Sequence, residues 1–357
     1  MKHGISLLPD CRPERRSAVD YYSDVLSISR MADEGGLDYV KMTEHYLGNY
    51  GGYCPSPLNF LSAVAASTSS IRLMTGCVLP AFHHPIQLAA HTAQVDAISG
   101  GRLEVGFARA WLPYEFEAFG VPIDSSRDRF EQTIEAVVRL WTESDVSEDS
   151  PFFAYENANS LPPVVQAPHP PVWGAAIRSP QSFQWLAKKG FGLLVSPPPL
   201  HRELKHTREL IDIYLDTFAQ EHSNDGLEPR VGFSVPLYVA ATDQQARNIA
   251  IPAIREYLDV TAEAASAWTM FSSSNYPGYE NMKRSFDAVT LDDLHADAAA
   301  VIGSPASVVD QIHQLREDLA ADVCLWNVDY GGQDLSMMSA SMELFLTEVL
   351  PQLGSTS

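Results

Sequence analysis

His45 follows Glu44 at the end of the apolar run YVKMTEH (39–45), and a loop rich in glycine, tyrosine and proline begins directly after it. An imidazole whose ordinary pKa is about 6.5 exchanges protons at working pH, so His45 is the candidate for proton transfer. A strand-end histidine that is merely hydrogen-bonded is the alternative. Neighbouring residues on a strand point to opposite faces, which gives Glu44 a structural reading. The next run, MTGCVLPAFHHP, offers Thr75, Gly76 and Cys77 before Pro80 breaks it. Glycine there would let a flat ring approach the backbone, although a plain strand with one small residue reads equally well. His83 and His84, ahead of Pro85, are taken as loop and capping residues.

Two further runs end in cations. GFARAWLPYEF carries Arg109, suited to a phosphate or carboxylate, or to an internal salt bridge. AAIRSPQSF places Arg178, Ser179 and Ser182 where a helix begins. Backbone N–H groups, hydroxyls and a guanidinium together make an anion site, with a simple Ser-Pro cap as the alternative. Arginines on successive strand ends point jointly to a phosphate.

Something must hold these ends side by side. Short apolar runs at 4–9, 39–45, 71–80, 102–109, 171–176, 192–197, 231–240 and 323–328 alternate with amphipathic stretches at 20–34, 86–98, 125–142, 180–189, 200–222 and 336–350. Strand–helix alternation repeated about eight times predicts a single-domain α/β fold, a (β/α)8 TIM barrel over 1–357, whose strand C-termini build the site. An insertion at 143–170 separates the halves, and the long stretch 241–303 after the seventh strand is expected to cover the site. Neither GxGxxG nor GxxxxGK[ST] nor HExxH occurs, so no Rossmann, P-loop or metal site is assigned. Glu44 is taken as the one strand-end carboxylate among the first six strands, which argues against a sugar-processing barrel with facing carboxylates.

The 357 residues are 45% hydrophobic, with a formal net charge of −21. Such a chain buries a large core and presents no basic face to nucleic acid or anionic membrane. The cysteines Cys11, Cys54, Cys77 and Cys324 lack CxxC spacing, and no apolar segment has membrane-span length, so a cytoplasmic setting is expected.

Over nearly its whole length the chain resembles the bacterial luciferase-like flavin monooxygenases. The resemblance is carried by TEHY with its loop, MTGCVLPAFHHPIQLA, DAISGGRLEVGFARAWLPYEFEAFGVP, PPVWGAAIRSPQSFQWLAKKGFGLL, VIGSPASVVDQI and MELFLTEVLPQL. It implies a (β/α)8 barrel that takes reduced FMN (FMNH2) from a separate reductase. Oxygen is activated there as a flavin 4a-hydroperoxide, and a small organic substrate is oxygenated. On this chain it makes His45 catalytic, sets a non-prolyl cis peptide at Gly76–Cys77 behind the flavin ring, and gives the phosphate to Arg109, Ser179 and Ser182. It also implies a homodimer, through helices beside strands two to four. Ala108 stands where luciferase has a reactive cysteine, so light emission is not implied, and Ile177-Arg178 departs from luciferase in the phosphate turn. Trp111, Tyr114, Trp268, Phe271, Tyr276, Trp326 and Tyr330 are the aromatic candidates for the substrate pocket. The rival readings are a deazaflavin-dependent hydride-transfer enzyme of the same superfamily and a non-catalytic flavin-binding subunit.

Overall fold

The computed structural model describes residues 1–354. β1 (Lys2–Leu7) leads to α1 (Ala18–Glu34), β2 (Tyr39–Met42) to α2 (Pro57–Ser67), and β3 (Arg72–Thr75) to α3 (Pro85–Ser99). β4 (Leu103–Ala108) is followed by the short α4 (Pro113–Ala118) and by α5 (Ser126–Thr142). A hairpin of β5 (Val146–Asp149) and β6 (Ala154–Ala158) then intervenes. The second half runs β7 (Val172–Ala175), α6 (Pro180–Lys188), β8 (Gly192–Val195), α7 (Leu204–Glu221), β9 (Val231–Val239) and α8 (Asp243–Ala265). α9 (Met282–Asp287) and α10 (Leu291–Asp297) precede β10 (Val301–Gly303), α11 (Pro305–Leu319), β11 (Val323–Asn327) and α12 (Leu335–Leu344).

Eight strands close a parallel barrel in the order β1-β2-β3-β4-β7-β8-β9-β11, and β11 returns to β1. The fold is the single-domain (β/α)8 TIM barrel that the alternation predicts, and all eight apolar runs become barrel strands. Local chemistry sets the helix limits. The Ser17 hydroxyl accepts from the Asp20 N–H to open α1, and Pro57 starts α2 behind Ser56. Gly100, left-handed at φ 65°, stops α3.

The barrel interior is layered. At the base Glu104 accepts from Arg72 Nε (2.5 Å), Trp173 Nε1 (2.5 Å) and Tyr39 Oη (3.3 Å). Gln166, from the segment after the hairpin, accepts from Arg72 Nη2 (2.9 Å) and completes this plug. Above it Tyr39, Met74, Cys77, Trp173, Leu194, Val323 and Leu325 form an apolar layer. The layer at the mouth is small and polar: Ser6, Gly76, Ala108, Ala175, Ser234 and Asn327 surround Lys41. Outside the barrel, the helices cover the outward faces of the strands in one continuous core.

The stretch 241–303 folds as several elements. Asp243–Ala265 is a 23-residue helix with its own buried cluster, and β10 adds to the upper end of β9. The arm from about 266 to 281 packs on the segment after β4, through Trp268 on Trp111 and Tyr276 on Ala110. Among the described residues no helix is long and apolar enough to cross a membrane.

Candidate active site

β2 ends at Met42 and carries Glu44 and His45 just past the barrel rim. The His45 N–H donates to Cys54 O (3.2 Å), closing the loop between them. Its ring is buried, with Nδ1 3.1 Å from Glu115 Oε1, and the same oxygen accepts from the Tyr46 N–H at 2.8 Å. Glu115, on α4, is 0% exposed. A hydrogen on Nδ1 lets the Glu115 oxygen accept from both the ring and the Tyr46 N–H. With Nδ1 engaged by Glu115, Nε2 is the ring atom able to take or give a proton. Gly51 sits against this ring at φ 72°, and a Cβ there would lie 2.7 Å from His45 Cδ2. The glycine therefore meets both a left-handed turn and a close approach.

Glu44 has the structural role expected. It accepts from the Leu79 N–H (3.1 Å), Tyr46 Oη (2.6 Å) and His83 Nε2 (2.7 Å). His84 caps α3, its Nδ1 accepting from the Ile86 N–H.

The peptide between Gly76 and Cys77 is cis. Thr75 Oγ1 bonds both the N–H and the C=O of Gly106, each at 2.8 Å, so it clamps β3 to β4. The Cys77 thiol is buried in the apolar layer, and burial pushes it up to about 12, the behaviour of a core residue. Gly76 meets Lys41: a Cβ there would lie 2.1 Å from Lys41 Cε.

Across the mouth lies a cluster of cations. Arg109 Nη2 donates to Ser126 Oγ (3.2 Å) and Asn275 O (3.0 Å), while its Nε is buried without a partner. Arg127, on α5, donates to Ser179 Oγ (3.0 Å) and Ser182 Oγ (3.3 Å) at the start of α6. Burial and the neighbouring Arg109 cation lower the pKa of Arg127. Arg178 is exposed, with Nη1 3.4 Å from Gly278 O. Guanidiniums held together, with hydroxyls and a helix start, suit a dianionic phosphate. Arg127 escapes the sequence reading because SRDRFEQ looks like a solvated helix face.

The arm lies over this cluster. Trp268 Nε1 donates to Trp111 O (2.9 Å), Tyr276 Oη to Ala110 O, and Asn275 Nδ2 to Asp124 O (2.7 Å). The Tyr276 ring covers Arg109, 4.4 Å from its guanidinium carbon. Beside it opens a cavity of about 720 Å³, walled by Tyr50, Trp111, Tyr257 and Tyr279 and, farther out, by Ile254 and Phe286. The Tyr50 ring stands between this space and His45, 5.0 Å from the imidazole.

Of the aromatic candidates, Trp111 lines the cavity, and Trp268 and Tyr276 are buried beneath the arm. The rest lie elsewhere. Trp326 faces outward from β11 in register with Ile5, between His3, Phe233 and Phe345. Tyr330 belongs to the cluster under α8. Phe271 is 42% exposed on the outside of the arm. Tyr114 packs over Gly48, its hydroxyl buried and unpartnered among the described residues. Tyr50, Tyr257, Tyr279 and Phe286 are the cavity aromatics that the sequence reading missed.

A second strand-end carboxylate among the first six strands corrects the reading of Glu44 as the one such group. Asp10, just past β1, faces Asp329, just past β11, and both are buried. Asp10 Oδ2 accepts from the Gly331 N–H (2.5 Å); Asp329 accepts from the Leu8 N–H (3.1 Å) and Tyr21 Oη (2.8 Å). Neither lines the cavity, so they bind backbone rather than flank a substrate. The sugar-processing reading lapses on that ground.

An imidazole–carboxylate pair and a cationic cluster thus meet at the C-terminal mouth of a parallel barrel, the end where such barrels build their sites. The luciferase-like monooxygenase family model matches residues 1–322, and the chain belongs to that family. It is 27% identical over 344 residues to the oxygenase component of the flavin-dependent trigonelline monooxygenase of Acinetobacter baylyi, covering 95% of this chain and 91% of that one. It superposes on the monooxygenase RslO1 of Streptomyces bottropensis with a TM-score of 0.82 and 33% identity, covering 99% and 100% of the two chains. The coenzyme F420-dependent tetrahydromethanopterin reductase of Methanopyrus kandleri shares the fold alone, at 20% identity and a TM-score of 0.72 over 99% of each chain. The protein is an oxidoreductase of the flavin-dependent monooxygenase type.

Proposed function

We propose that this chain is the oxygenase half of a two-component system, an FMNH2-dependent monooxygenase that consumes O2 and oxygenates a small, largely apolar molecule. The observation that carries the reading is Arg127 held on Ser179 and Ser182 beside the Arg109 cation, whose buried Nε is left over. These groups fit a terminal phosphate, and the small mouth layer around Gly76 fits a flat ring. Reduced FMN supplies the oxygen activation when bound. The chain's own part is to orient the ring, keep water from it and move a proton at His45 Nε2, with Glu115 fixing the tautomer. The arm over the mouth and the aromatic wall of the cavity supply the dry enclosure. A separate flavin reductase is the inferred partner, by analogy with a relative named as an oxygenase component. Homodimerisation through α2 and α3 and a cytoplasmic setting complete the proposal.

The fold shared with an F420-dependent reductase favours a second reading, hydride transfer from a reduced deazaflavin without oxygen. The two separate in one experiment. The protein is mixed anaerobically with FMNH2 or with reduced F420, then with oxygen, and oxygen uptake and flavin oxidation are followed. The proposal expects FMNH2 to bind and its oxidation on the protein to differ in rate from that of free FMNH2. Binding of reduced F420 alone would establish the deazaflavin reading. Flavin binding with oxidation kinetics identical to free flavin would leave a non-catalytic subunit.

A further inference from the structure

Lys41 is a cation in an unusual place. It projects from β2 into the barrel at the mouth layer, and its ammonium donates to Ser6 Oγ (2.9 Å) and Ser234 Oγ (3.0 Å). Two hydroxyls satisfy two of its three N–H groups. No carboxylate among the described residues lies within ion-pair distance of it. The negative groups that act on it, Cys77 if ionised and Asp329, do so without contact. Asp329 is already engaged by the Leu8 amide and Tyr21, and the Cys77 thiol is held neutral by burial. Burial lowers the pKa of Lys41. An ammonium placed in the interior without a counter-charge is costly.

Its surroundings say where it can act. The stem lies so close to Gly76 that any side chain there would overlap it, so the amine sits directly beside the Gly76–Cys77 peptide. Ser234, its hydrogen-bond partner, lines the cavity, as does Asn327, the register partner of Ser6. Lys41 retains some accessible surface although barrel wall surrounds it, so that surface opens toward the mouth. The group therefore faces the place where a flat ring would rest on the small mouth layer.

We propose that Lys41 is the cationic contact of the cofactor ring and biases the site toward the ring's reduced, anionic form. This rests on the flavin reading above. An oxidised isoalloxazine is neutral, whereas the reduced one loses a proton near neutral pH and bears a delocalised negative charge. A positive charge fixed beside it in a water-poor site therefore binds the reduced form more strongly than the oxidised one. For an enzyme that receives its flavin already reduced, this discrimination favours uptake of the useful form and release of the spent one.

The test is the ratio of two dissociation constants, for FMNH2 (anaerobic) and for FMN, in the wild type and in Lys41→Met. Methionine keeps the length and removes the charge, and replacing an unpaired buried ion by an apolar side chain is often neutral or stabilising. Lys41→Arg, which keeps the charge, is the companion, and circular dichroism checks the fold of both. The expected result is a loss of FMNH2 affinity in Lys41→Met of roughly 10- to 100-fold, with FMN affinity changed less than about threefold. Lys41→Arg is expected to retain most of the wild-type ratio. An unchanged ratio in Lys41→Met overturns the role of Lys41 and leaves the flavin reading standing. Failure of the wild type to bind FMNH2 overturns the flavin reading, and this inference with it.

Discussion

At the scale of single residues, the site divides into parts that hold and a part that moves a proton. Arg127→Ala should weaken FMN binding roughly 10- to 100-fold, the effect of losing a charge-assisted bidentate contact. It should leave riboflavin, which has no phosphate, nearly unaffected; equal losses for both in fluorescence titrations would remove Arg127 from the cradle. His45→Gln should do the reverse, lowering turnover about 10- to 1000-fold while FMN affinity stays within about threefold. Full turnover in that variant would leave His45 with a packing role. His45 and Arg109 drew notice in the sequence because each ends an apolar run, where a barrel displays its side chains, and Ser179 and Ser182 because they open the helix after such a run. Arg127 and Glu115 did not, since a charge on the first turns of a helix looks like solvated surface or a partner for the helix dipole. Lys41 was hidden differently: a single lysine in a buried strand announces neither its depth nor its partners.

At the scale of elements, the strand ends themselves carry electrostatic stress. Burial, and then the neighbouring Asp329, raise the pKa of Asp10 from its ordinary value to about 7. A carboxyl whose folded pKa lies above its unfolded one destabilises the fold once pH exceeds the unfolded value. The penalty is absent below about pH 4, grows between there and pH 7, and is complete above. Asp10→Asn should therefore raise the unfolding free energy at pH 8 by roughly 1–4 kcal/mol and give no such gain at pH 4. Urea unfolding at the two pH values reads this directly, and an equal effect at both would refute it. Element identity was the most legible part of this chain, because strand runs and helix periods differ in spacing and glycine or proline marks their ends. Face was less so. Trp326 was expected in the pocket, yet strict alternation from Leu325 and Asn327, which face inward, already sends it outward.

At the scale of the whole molecule, the proposed reading gives the arm from 266 to 281 the task of separating the mouth from solvent. Its anchors are Trp268 on the Trp111 carbonyl and Tyr276 over Arg109. Trp268→Ala removes one anchor and the tilted ring contacts with Tyr276 and Tyr279, outside the barrel's main core. With reduced FMN and oxygen it should at least double the fraction of oxygen released as hydrogen peroxide, since water then reaches the reacting ring. A peroxide yield equal to that of the wild type would show that the arm does not guard the site.

The sealed base has a consequence for traffic. With Glu104, Arg72, Trp173 and Gln166 filling the bottom of the barrel, the interior is closed at that end, and the mouth is the doorway. On the proposed reading, flavin, oxygen and substrate all pass through it, and whatever lodges deepest arrives first and departs last. A spent flavin then cannot be recharged in place by a protein too large for the doorway. It has to leave, so the pace of the whole system is tied to how readily the barrel lets go.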